Sequence, residues 1–105
     1  MKGNKTMSRQ ITEIIVRAFM NDETKRMGNS EVRTDFVTTK LYLWNNLIAI
    51  KKKDTGKIEV SMAGYPTVTT RERLNGIPGV SISQRKGIQY LNGKEIDTDK
   101  FYAVN

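Results

Sequence analysis

The stretch KLYLWNNLIAIKKKDTGKIEVSM, residues 40–62, carries two independent turn signals, and together they constrain how its three apolar runs can pair. Asn45-Asn46 predicts a two-residue hairpin turn, since Asn tolerates the positive φ such turns need. Asp54-Thr55-Gly56 predicts a three-residue turn with Gly56 in the left-handed position. The first turn pairs Leu43 with Ile48 and Leu41 with Ile50; the second pairs Ile50 with Val60 and Ile48 with Met62. Both rows are then wholly apolar, whereas a slip of one residue would carry charge into them. The segment reads as a three-strand antiparallel meander. Its opposite face would hold Lys40, Tyr42, Trp44, Leu47, Ala49, Lys51, Lys53, Lys57 and Glu59. That face is either an open stacking platform rimmed by lysines or a surface beneath a helix. Apolar groups on both faces of a sheet favour the covered arrangement.

Elements on either side complete an α+β fold: a mostly antiparallel sheet with an N-terminal helix and a short central helix. Ser8 is the expected cap of a helix reaching Asn21, with Ile11, Ile14, Ile15, Ala18 and Phe19 on one face. NDETKRMGNS reads as a loop, and SEVRTDFVT as a strand with Val32 and Phe36 sharing a face. VSISQ and IQYLNGKEI read as strands, Asn92-Gly93 being the strongest hairpin signal in the chain. FYAV reads as a last short strand. The 105 residues form one domain with no linker or repeat, residues 1–7 expected to be flexible.

The chain has neither cysteine nor histidine. Disulfides and thiolate metal sites are therefore impossible, and the commonest general base and metal ligand are missing. No Walker or dinucleotide loop and no nucleophile–base spacing occurs, and Asp97 and Asp99 alone fall short of a calcium loop. The expectation is a protein that is not an enzyme and uses no cofactor or metal. No apolar run approaches the length of a membrane span, and the amino terminus lacks the apolar stretch of a secretory signal.

Eighteen Lys and Arg oppose eleven Asp and Glu, a formal charge of +7. Such a balance suits nucleic acid, a nucleotide or an acidic protein as partner. Lys40, Tyr42, Trp44, Lys51, Lys52, Lys53 and Lys57 form a candidate nucleic-acid surface, aromatic rings interleaved with cations.

A second candidate is GYPTVTTRERLNGIPG, residues 64–79. Thr69 and Glu72 have capping-box spacing, Asn75-Gly76 and Pro78 end the helix, and Val68, Leu74 and Ile77 would anchor it. The same turn offers a phosphate site: hydroxyls of Thr67, Thr69 and Thr70, guanidinium groups of Arg71 and Arg73, and Tyr65 to stack on a base. Capping explains the threonines more economically.

AGYPTVTTRERLNGIPGVSISQRKGIQYLNGKEID, with LYLWNNLIA upstream, resembles a group of small tailed-bacteriophage proteins with a TVTTRERLN…NGKEI pattern and an aromatic-rich end. The resemblance runs from Val32 to Val104. In that group Trp often stands at the position of Tyr65, and His-Gly-Asn at that of Trp44-Asn45-Asn46. The resemblance implies a phage accessory protein made in the bacterial cytoplasm and attaches no activity to it. The leading expectation is non-catalytic binding of nucleic acid or a nucleotide through a basic face. The alternative is a protein–protein inhibitor docking on an acidic pocket of a host defence or replication protein. A homodimer through an edge strand is compatible with either.

Overall fold

The computed structural model describes residues 3–104, with side chains from residue 8 onward. The chain builds α1 (Gly3–Met20), β1 (Lys25–Met27), β2 (Ser30–Thr34), β3 (Thr38–Leu43), β4 (Asn46–Lys52), β5 (Ile58–Val60), α2 (Val68–Asn75), β6 (Ile82–Arg85), β7 (Ile88–Leu91), β8 (Lys94–Glu95) and β9 (Tyr102–Ala103). A six-stranded antiparallel sheet runs β1-β2-β3-β4-β5-β9, and a smaller sheet runs β6-β7-β8. The architecture is α+β, as the sequence predicts.

One core unites the elements. Ile15, Ala18 and Phe19 of α1 pack on Val32, Leu41, Leu43, Ile48, Ala49, Ile58 and Val60 of the large sheet, and Leu74 of α2 and Ile82 and Leu91 of the small sheet close it. The apolar stripe of α1 is wider than the predicted face, because Thr12 and Val16 are buried as well. They face α2, and they explain Gly76. A Cβ there would lie 2.6 Å from Thr12 Cγ2 and 3.0 Å from Val16 Cγ2, so only glycine lets the helices approach this closely.

The meander forms, but its register differs from the predicted one. The first turn is Trp44-Asn45, both at positive φ (50° and 66°), and Leu43 pairs with Asn46. A bulge follows: Tyr42 pairs with Leu47 but Leu41 with Ala49, leaving Ile48 as the extra residue. Across the second turn Ala49 pairs with Val60 and Lys51 with Ile58, so the loop takes in Lys53 as well as Asp54-Thr55-Gly56. The two irregularities cancel for β3 and β5, whose Leu41, Leu43, Ile58 and Val60 all point inward. Only β4 is inverted beyond the bulge. Ala49 and Lys51 face the core and Ile50 faces out, the reverse of the predicted arrangement.

The charge that the slip brings inward is accommodated. Lys51 is 9% exposed, and its Nζ donates to the Met20 carbonyl at the end of α1 and lies 3.3 Å from Asp22 Oδ1. A helix C-terminus presents unpaired carbonyls and a partial negative charge, so an ammonium is stabilised there.

Four further expectations are corrected. Ser8 lies inside α1, which begins at Gly3; the expected flexibility of residues 1–7 falls largely on side chains outside the described residues. NDETKRMGNS contains β1, hairpinned to β2 through Gly28-Asn29. Val32 is buried but Phe36 is fully exposed, since the strand ends at Thr34 and Phe36 occupies the turn. Thr67, not Thr69, caps α2, accepting from the Thr70 amide at 3.1 Å, and Val68 is 72% exposed. The Asn92-Gly93 hairpin and the β9 strand lie where the sequence places them, Leu91 pairing with Lys94.

Candidate nucleic-acid interface

Residues directly paired across a sheet share a face, so the pairing defines the outer surface of the large sheet. One row is Arg26, Glu31, Tyr42 and Leu47; the next is Arg33, Lys40, Ile50, Glu59 and Ala103; the last is Thr38 and Lys52. Both helices contribute their buried residues to the opposite face, and among the described residues no helix lies over this one. The predicted cover is absent for a physical reason. With Ile50 outward but Ala49 and Lys51 inward, the outer apolar groups are few: Tyr42 beside Leu47, and Ile50 between Lys40 and Glu59, all half-buried among charged neighbours.

Arg33 organises the centre of this surface. Its guanidinium lies 4.3 Å from the Tyr42 ring centroid and its Nη2 is 3.1 Å from Glu31 Oε1. The contact with Arg33 holds the Glu31 carboxyl below its usual range, and Glu31 in turn raises Arg33. Arg26, Lys40 and Lys52 have no carboxylate within ion-pair distance among the described residues. They add positive charge around an aromatic and aliphatic centre, with Glu31 standing across from Arg26.

The predicted surface residues separate accordingly. Lys40 and Tyr42 lie within the outer face, and Lys52 is at its margin. Lys53 and Lys57 flank the β4–β5 turn, where Lys53 Nζ donates to the Asp35 carbonyl at 2.8 Å. Trp44 sits in the turn at the other end of β3, half-exposed. Lys51 leaves the set, since it belongs to the core side. Arg26 and Arg33 were missed. Arg26 is hidden in a stretch that reads as loop, although Gly28-Asn29 before a β-rich run is a recognisable hairpin signal.

The second set does not converge on a common point. Thr67 and Thr70 hydroxyls lie 2.9 Å apart, paired with each other, and Thr70 is buried. Arg73 is 2% exposed and turned inward, its donors taken by Ser30, Ser8, Thr12 and Asn29. Burial lowers its pKa, an effect that Glu72 opposes. Arg71 points the other way, its Nη1 within 3.0–3.1 Å of Gln84 Oε1, Gln89 Oε1 and the Pro66 carbonyl, tying α2 to the small sheet. Thr69 and Arg71 share an open groove of about 1000 Å³ between α1 and α2 with Glu13 and Glu72. Those carboxylates offset Arg71 and Arg9, which also lines the groove, so it carries no excess of positive charge to hold an anion. Glu72 is not free to reach back to a capping position, because Ser8 Oγ donates to it at 2.6 Å. Tyr65 is exposed beside the turn.

This open-faced α+β scaffold is a phage protein: a family model described as Kyanoviridae Gp96 protein matches residues 8–105. The chain belongs to that family. No curated protein and no solved structure matches it. Among the described residues no helix is long and apolar enough to cross a membrane.

Proposed function

We propose that this phage protein binds nucleic acid, without catalysis, through the outer face of its six-stranded sheet. One observation carries the reading: among the described residues the face has no helix over it, and it presents Arg26, Lys40 and Lys52, none in a salt bridge, around Tyr42 and the Arg33 guanidinium. Cations on a flat surface neutralise phosphates, and an aromatic or guanidinium plane offers a base a stacking partner. Glu31 and Glu59 moderate the charge, which suits sequence-tolerant binding rather than a tight anion clamp.

The test is affinity for labelled oligonucleotides across a salt series. Binding should weaken linearly on a logarithmic salt scale, and Lys40→Gln with Lys52→Gln should lower the slope by roughly 0.7–0.9 for each phosphate that is no longer neutralised. Lys51→Gln, on the core side, should leave the slope unchanged in protein that remains folded. Failure to bind any single-stranded or duplex oligonucleotide at low salt would end this reading. Recovery of a host protein from lysate, undiminished by nuclease, would instead support docking on an acidic protein.

A further inference from the structure

At one end of the large sheet the β2–β3 hairpin closes through Asp35-Phe36-Val37, and Phe36 is 100% exposed. Val37 beside it is 66% exposed. This turn is held firmly. Asp35 Oδ1 accepts from the Val37 and Thr38 amides, both at 2.8 Å, and the Asp35 amide donates to the Thr38 carbonyl at 2.9 Å. The neighbouring strand braces it again: the Lys53 amide donates to the Val37 carbonyl at 3.0 Å, and Lys53 Nζ to that of Asp35. The backbone amides of Thr38 and Val37 hold the Asp35 carboxyl below its ordinary value.

Burying that phenyl ring against a partner would remove apolar surface from water, and the braced turn presents it for something to receive. Its surroundings indicate what. Lys53 sits against the turn, and Lys52 and Lys57 flank the adjacent hairpin tip. Acidic groups are present too: Asp22 pairs with Lys51, while Asp35, whose amide contacts favour its charged form, and Asp54 are outnumbered by the three lysines. An apolar knob with cations beside it matches a ligand whose apolar planes alternate with anions. Stacked bases and their phosphates have that chemistry. The apolar pair forms a point rather than a track, which fits entry at a single base step.

Resting on the nucleic-acid reading above, we infer that Phe36, with Val37, is a wedge that enters between neighbouring base pairs of duplex DNA while Lys52, Lys53 and Lys57 contact the flanking phosphates. Removal of a side chain so exposed leaves the fold intact, so variants report on binding alone. A duplex with a fluorescent adenine analogue at its centre should brighten when the wild-type protein binds and unstacks it. Phe36→Ala should abolish the brightening and weaken binding about 5- to 100-fold, whereas Phe36→Leu, still apolar, should retain most of both.

Equal affinity and equal brightening for Phe36→Ala would overturn the wedge and leave the sheet-face reading standing. Loss of affinity for a single strand, with duplex binding unchanged, would overturn insertion into a duplex in favour of stacking on unpaired bases. Retention by phosphatidylserine vesicles that depends on Phe36, without any duplex signal, would reassign the knob to a lipid surface. No binding of the wild-type protein to any oligonucleotide would remove the sheet-face reading and the wedge together.

Discussion

Replacing Arg73 by Met separates what holds this fold from what binds through it. The guanidinium lies where α1, α2 and β2 meet. Its Nε donates to Ser30 Oγ at 2.9 Å, its Nη1 to Thr12 Oγ1 at 2.7 Å and to Ser8 Oγ at 3.1 Å, and its Nη2 to Asn29 Oδ1 at 3.3 Å. The bonds to Ser30 and Thr12 are fully buried, and a bond to a charged group contributes about 1.5–3 kcal/mol. Relief of guanidinium desolvation works in the opposite direction, as does apolar contact by the thioether. Ser30 also keeps its bond to Asn29 Oδ1. A net loss of about 3 kcal/mol follows, a large fraction of the roughly 5–15 kcal/mol available to a domain. Arg73→Lys should recover less than half of it, because three donors on one nitrogen cannot span Ser30, Thr12 and Asn29 together. Urea unfolding followed by circular dichroism measures both variants. A loss below about 1 kcal/mol for Arg73→Met, with the denaturant slope unchanged, would refute the claim that this network joins the helices to the sheet. The folded fraction of either variant should bind oligonucleotides as the wild type does.

Gly76→Ala should cost about 1–3 kcal/mol by overpacking against Thr12, and Thr12→Ser in the same chain should restore part of it; equal stability of wild type and Gly76→Ala would show that the helices separate freely. Ile50→Thr should cost less than about 1 kcal/mol while Ala49→Leu, at a site 0% exposed, should cost about 1–3 kcal/mol. The opposite order in thermal melts would reinstate the register predicted from the turns. Asp22 has its pKa lowered from 3.8, chiefly by the Thr39 hydroxyl and further by Lys51, against a smaller opposing effect of burial. Its contribution is therefore complete above that value and is lost as pH falls through the lower folded one. Asp22→Asn should be less stable than wild type near neutrality, with the difference shrinking below about pH 3.8 in acid titrations followed by circular dichroism.

Local signals were legible where a residue type leaves the backbone little choice. Asn92-Gly93 both adopt positive φ, at 51° and 87°, and the hairpin stands where that pair occurs. The terminal strand and the short central helix were equally readable from apolar spacing and from Pro78. Signals depending on a distant partner were not. Ser8 looks like a cap because Ser often is one, but its hydroxyl serves Glu72, 64 positions away. Arg73 looks like an anion clamp because it follows a threonine-rich turn, and nothing local reveals that Ser30 and Thr12 surround it. Phe36 looks like core because alternation extends to it, until Asp35 turns the chain one residue earlier.

The inverted middle strand shows why two turns that agree with each other still misled. Each turn is displaced, and the displacements offset one another, so β3 and β5 keep the faces that a simple meander would assign them. Only β4 could record the error, and there, besides Ile48, which is inward in both, each register places one further aliphatic residue inward: Ile50 in the predicted pairing, Ala49 in the observed one. Hydrophobic pattern alone favours the predicted pairing, which keeps Ile50 in and Lys51 out. The decision comes from outside the meander, where the Met20 carbonyl and Asp22 at the end of α1 receive an ammonium. A lysine pointing into the core face would be costly without those acceptors and is stabilised with them. The same inversion moves Ile50 onto the outer face beside Lys40 and removes Lys51 from it, giving that surface an aliphatic centre between separated cations. The packing of one helix terminus thereby shapes the opposite side of the sheet, where the proposed ligand would lie.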